Sequence, residues 1–180
     1  SDTAETFYRA GGVYEKLGDS RNQLRIYSQF VRKYGSDPKQ SGRVIEALAK
    51  TAEVQLKARQ VRKAKRTWQT IIDEFNRRGL GPDVFERRYA AEAAFRLVEL
   101  DFDKYQAIKL KGSLRNQGNA IKALQRELPK LKNRYARVTQ YKSFDWTLAA
   151  FYRVGQLYQL FATALYEAPI PGGFSVDEED

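Results

Sequence analysis

The 180-residue chain carries 32 Lys and Arg against 22 Asp and Glu, a formal charge of +10, and contains no Cys, His or Met. Without Cys or His, zinc sites built on those ligands, His-based triads and Cys nucleophiles are excluded. A 42% hydrophobic content supports a core, 5 Pro and 12 Gly argue against wholesale disorder, and no apolar run approaches the roughly 18–20 residues that span a bilayer. The start at Ser1-Asp2-Thr3, with no Met, reads as a piece of a longer protein.

Apolar residues recur at helical spacing nearly throughout, so the expectation is an all-α protein. Phe7, Ala10, Gly11, Tyr14 and Leu17 mark the first helix, and Gly18-Asp19 separates it from a second carrying Leu24, Tyr27, Phe30, Val31 and Tyr34. A third helix is predicted over 41–57. A fourth, over 60–77, places Val61, Ala64, Trp68, Ile71, Ile72 and Phe75 on one face and stops at "RRGLGPD". Long helices follow over about 83–110 and 114–141, divided at Gly112-Ser113, and a last one covers about 145–167, before "APIPGG". In the 114–141 segment Ile121, Leu124, Leu128, Leu131, Tyr135 and Val138 alternate in steps of three and four, a heptad seam. Pro129 inside it should kink the helix or begin a new one. The two long segments are expected to pair as an elongated antiparallel hairpin.

Charge is unevenly placed. Residues 109–142 hold ten cations and one acid, Glu127, while 57–66 hold six cations and no acid, and 177–180 are all acidic. Basic faces attract nucleic acid, anionic lipid or acidic proteins, and are also commonly just solvated helix faces.

The octapeptide "FYRAGGVY" at 7–14 returns as "FYRVGQLY" at 151–158, and "LAKTAEVQ" (48–55) and "AFRLVELD" (94–101) align with both. A cation stands third each time: Arg9, Lys50, Arg96 and Arg153. The stretch "AETFYRAGGVYEKLGDSRNQLRIYSQF" resembles a tetratricopeptide repeat (TPR): Phe7, Gly11, Tyr14, the Gly18-Asp19 turn and Tyr27 fall on the family's packing positions. The second unit keeps Ala52, Ala64 and Trp68 but has Gln55 for Tyr and Arg59-Gln60 for Gly-Asp. The fourth keeps Phe151, Gly155 and Tyr158 and lacks a second helix. The resemblance implies a right-handed α-solenoid of antiparallel helix pairs with an elongated third hairpin. It spans one domain over 1–173, with repeats at about 4–38, 41–79, 83–142 and 145–168. Residues 174–180 are then an acidic tail or a truncated next repeat, Ser175 and Glu178 having capping-box spacing. "YEKLGDSRNQLRIYSQFVRKYGSDP" is similar to TPR proteins of Gram-negative cell envelopes, of the outer-membrane assembly or deltaproteobacterial gliding-machinery type, with a cytoplasmic scaffold as the alternative setting.

In that family the first helix of each unit lines a groove. Carried over residue by residue, the resemblance implies partner contacts at Tyr8, Arg9, Lys50, Phe95, Arg96, Tyr152 and Arg153. Such a column suits an acidic peptide or protein. The Asn partners of a terminal-carboxylate clamp are absent, and each Arg has the alternative of facing solvent or pairing with a nearby Glu. Phe7, Gly11, Tyr14, Phe151, Gly155 and Tyr158 are assigned to holding the fold. The expected function is a non-enzymatic interaction scaffold with no cofactor and no metal. The alternative is nucleic-acid or anionic-surface binding through 109–142, although no RNA-recognition motif is present. Catalysis would fall to carboxylates such as Glu99 and Asp103, and no glycine-rich phosphate loop accompanies them. The last helix, lacking a partner, is expected to be covered by self-association or by further sequence.

Overall fold

The computed structural model describes residues 3–170. Among them there are seven α-helices and no strand: α1 (Ala4–Lys16), α2 (Ser20–Tyr34), α3 (Ser41–Lys57), α4 (Val61–Arg77), α5 (Arg87–Gln106), α6 (Leu114–Val138) and α7 (Phe144–Tyr166). Short 3₁₀ turns precede α3 and follow α6. Each helix packs against its neighbour in sequence, and α5 additionally touches α3 and α7. One core runs through the assembly, from Tyr27 and Phe30 through Ile45, Trp68 and Ile71 to Phe95, Tyr135 and Leu157.

Local chemistry starts and stops the helices. Thr3, Asp19 and Ser113 cap α1, α2 and α6, each accepting a hydrogen bond from the backbone N–H three residues on. The α1–α2 and α3–α4 turns have the same geometry. Gly18 takes φ +70° and Arg59 takes φ +56°. Asp19 N–H donates to Tyr14 O at 3.0 Å, and Gln60 N–H to Gln55 O at 2.8 Å. Both are six-to-one closures of a left-handed C-cap. Arg59 thus holds a conformation that a β-carbon disfavours, where the first turn has glycine.

Two helices differ from the sequence expectation in extent. The predicted helix over 83–110 begins at Arg87 and ends at Gln106. Before Arg87 the chain runs in tight turns with i→i+3 bonds, such as Arg87 N–H to Val84 O at 3.3 Å, because Pro82 offers no donor there. The helix over 114–141 ends at Val138, and its last three residues tighten into a 3₁₀ turn. Pro129 neither ends α6 nor starts a new helix. It sits on the exposed face, while Leu124, Leu131, Tyr135 and Val138 bury the heptad seam.

The two octapeptides part company here. In α1, Gly11 is buried beneath the Tyr27 ring of α2, whose Cζ and Cδ1 would lie 2.7 and 2.8 Å from an added β-carbon. Phe7 stacks near Phe30 and Tyr34. In α7, Gly155 has nothing within 4 Å of such a carbon, and Phe151 and Tyr158 are 59% and 47% exposed. Assigning Phe151, Gly155 and Tyr158 to packing was therefore wrong, because no helix among the described residues does for α7 what α2 does for α1.

Gly11→Ala and Gly12→Ala should move stability in opposite directions. The first forces a methyl into a buried ring, an overpacking cost of about 1–3 kcal/mol that exceeds the gain in helix propensity. The second meets nothing within 4 Å, so it gains up to about 1 kcal/mol from replacing glycine mid-helix. Urea midpoints of the two variants check this, and equal midpoints would contradict the packing described.

Candidate binding cleft

The seven residues implied by the resemblance do not form one surface. Phe95 is 5% exposed and packs between Tyr135 and Trp146, with ring centroids 5.5 and 5.2 Å away. It is a core residue and not a groove anchor. Tyr8 is half-buried against Tyr27 and Phe30. Burial and a hydrogen bond to Glu46 hold its hydroxyl protonated well above the ordinary tyrosine range. Tyr152 is exposed, its hydroxyl accepting from Gln156 at 3.2 Å.

All four cations of the column are paired with carboxylates. Arg9 reaches Glu5 one turn back at 2.6 Å, and Arg43 contacts the same carboxylate. Lys50 bonds Glu15 of α1 at 2.5 Å. Arg96 lies 3.4 Å from Glu92 and stacks 5.5 Å from the Trp146 ring. Arg153 is bound most firmly. Its Nε donates to Glu99 at 3.0 Å, its Nη2 to the other oxygen at 2.6 Å, and its Nη1 to Gln156 at 2.6 Å. The guanidinium lies 4.6 Å from the Phe102 ring, and Glu99 also accepts from the Tyr135 hydroxyl. That network joins α5, α6 and α7. Arg153 therefore belongs to the packing, contrary to its assignment as a free groove cation. The same network occupies Glu99, and Asp103 is exposed.

Two residues of the column, Lys50 and Arg96, do meet in a concave site. A cleft of about 170 Å³ lies between α3, α4 and α5. Its floor is apolar: Ala52, Trp68, Ile71 and Ala93 are all buried. Its rim carries Lys50, Arg88 and Arg96 with Glu53 and Glu92. Arg88 stacks on Phe85 and Tyr89 at 4.9 and 5.0 Å and forms no ion pair among the described residues. The resemblance pointed to first helices only, so it missed Trp68 of α4. It also missed Arg88, two turns before the Arg96 column, where helical spacing alone would have placed a second cation on the same side.

Compared with family models, curated proteins and solved structures, the chain matches none. Among the described residues no helix is long and apolar enough to cross a membrane.

Proposed function

We propose that the chain is a non-enzymatic interaction scaffold. On this reading it is a TPR-like right-handed solenoid of antiparallel helix pairs that holds an acidic, amphipathic segment of a partner protein in the α3–α5 cleft. The observation that carries this reading is the pairing of an apolar floor with a cationic rim in one concavity. The repeated left-handed turn at Gly18 and Arg59 supports equivalent helix pairs. An apolar side chain would cover Trp68 and Ile71, while carboxylates engage Arg88 first and then displace Glu92 from Arg96. Bidentate guanidinium–carboxylate bonds fix such a segment's register. The setting that goes with the resemblance is a multi-repeat protein of a bacterial envelope assembly.

A second reading draws on the α6 surface. Arg115, Lys122, Arg126, Lys130 and Arg137 are all exposed and fall on one helical stripe. That stripe is about 33 Å long at the α-helical rise, and Glu127 is the acid that pairs within it, to Arg126 and Lys130. It suits a run of phosphates.

One anisotropy experiment separates the two. Peptides selected from an acidic amphipathic library should lose about 10–100-fold in affinity on Arg88→Glu with Arg96→Glu, and nothing on Arg9→Glu. Equal binding by both variants would sink the cleft reading. If a labelled DNA duplex instead binds more tightly than any peptide, with affinity falling steeply with salt and lost on Lys122→Glu with Lys130→Glu, the second reading stands.

A further inference from the structure

The last helix, α7, is apolar on two opposite faces, a pattern expected of a helix covered all round. One face, with Ala150 and Leu157, packs into the core. The other carries Phe144, Leu148, Phe151, Gly155, Tyr158 and Leu165, spaced by four and three residues, and all of them are exposed. Tyr152 and Tyr166 widen this face and are 65% and 92% exposed. From the sizes of these side chains and their exposures, the bare surface amounts to about 850 Å², which reaches the roughly 800 Å² per partner of a stable protein–protein interface.

We propose that this face pairs with the same face of a second copy of the chain, α7 antiparallel to α7, about a two-fold axis at Gly155. Three observations choose this occupant. The first is electrostatic. Over the 23 residues of α7 the charged side chains are Asp145 and Arg153, and Arg153 turns inward to Glu99. In a chain of formal charge +10, two such faces meet without like-charge repulsion, which other surfaces of this basic protein would incur.

The second is steric. With the axis at Gly155, Leu148 of one copy faces Ala162 of the other, Phe144 faces Tyr166, and Tyr152 and Tyr158 flank the partner glycine. Large side chains thus oppose small ones along the whole seam. The glycine receives a ring from across the axis as Gly11 receives Tyr27 within the chain. An interface of this kind is closed and self-complementary.

The third is exclusion. Stacking α7 on α1 of another copy would form an open chain of molecules. The outer face of α1, however, sets Val13 and Leu17 among the exposed Arg9 and Lys16. Residues 171–180 offer only Phe174 and Val176 as large apolar side chains, too few to cover α7.

This inference is independent of the cleft, which lies on α3–α5. Sedimentation equilibrium of the 180-residue chain should show a dimer at micromolar concentration, and Phe151→Glu should weaken it by at least about 100-fold while leaving the circular dichroism unchanged. The absence of native cysteine allows a second readout. Gly155→Cys should give a covalent dimer on mild oxidation, and Leu17→Cys, 71% exposed, should not. A monomer throughout the micromolar range, a dimer indifferent to Phe151→Glu, or crosslinking favoured at Leu17→Cys would each overturn the proposal.

Discussion

Raising the pH from 10 to 12 should unfold this protein cooperatively, with helix loss and tyrosine ionisation coinciding. Burial pushes the hydroxyls of Tyr27 and Tyr105 up to about 12 from 10.0, and these residues are 1% and 2% exposed. Tyr8, Tyr89 and Tyr135 are raised further by burial, each with a carboxylate beside it, Glu46 for the first two and Glu99 for the third. An unfolded tyrosine ionises near 10, so below that pH both states hold the proton and the stability is intact. Above it the unfolded chain releases protons that the folded chain retains, and stability falls as pH rises. Two groups delayed by two pH units remove about 5 kcal/mol by pH 12, within the 5–15 kcal/mol typical of a whole domain's stability. Absorbance at 295 nm and ellipticity at 222 nm, followed together, test this. A gradual rise in absorbance with ellipticity intact at pH 12 would show that these rings are accessible to base. Tyr105→Phe should move the transition upward, since its hydroxyl makes only a 3.4 Å bond to Leu157 O.

Glu99→Ala should be among the most destabilising exchanges of a charged residue in the chain, at about 2–3 kcal/mol. The cost arises from what is left behind. Arg153, 29% exposed at its side chain, keeps its charge over the Phe102 ring with no carboxylate, and the buried Tyr135 hydroxyl loses its acceptor. For a chain of this size the melting temperature should drop by about 5–10 °C. Arg9→Ala is the comparison. Its pair with Glu5 is on the surface, at 76% and 38% side-chain exposure, and such pairs contribute little. Calorimetry giving the same melting temperature for Glu99→Ala and Arg9→Ala would remove the Glu99 network from the account of how α5, α6 and α7 are joined.

The contrast between those two arginines shows where the sequence could be read and where it could not. Helical periodicity, the Gly18-Asp19 and Gly112-Ser113 breaks and the heptad seam of α6 are local patterns, and the helices follow them. Arg9 and Arg153 stand in the same place in two matching octapeptides, yet one lies along its own helix and the other crosses to α5. The difference is made by Glu99, 54 residues away, and local pattern carries no information about it. Gly11 and Gly155 divide in the same way, because a glycine's role depends on whether a ring from another helix arrives over it. Phe95 was placed in a groove because its column was, while Trp146 and Tyr135 bury it from outside its own repeat. The cleft was half legible: Lys50 and Arg96 came from the repeat alignment, and Trp68 and Arg88 required knowing how α4 and α5 lie against α3.

The position of α5 has a mechanical consequence. Apart from the contact between Phe75 and Tyr141, the helices before α5 and those after it meet chiefly through α5 itself. Its first half forms one wall of the cleft, and its second half holds Glu99, the anchor of α7. A rotation imposed on this rod at one end is delivered to the other, as torque is along a shaft. Occupancy of the cleft and pairing at α7 would then share a single moving part. By the reciprocity of linked equilibria, any change the first makes to the affinity of the second is returned in equal measure.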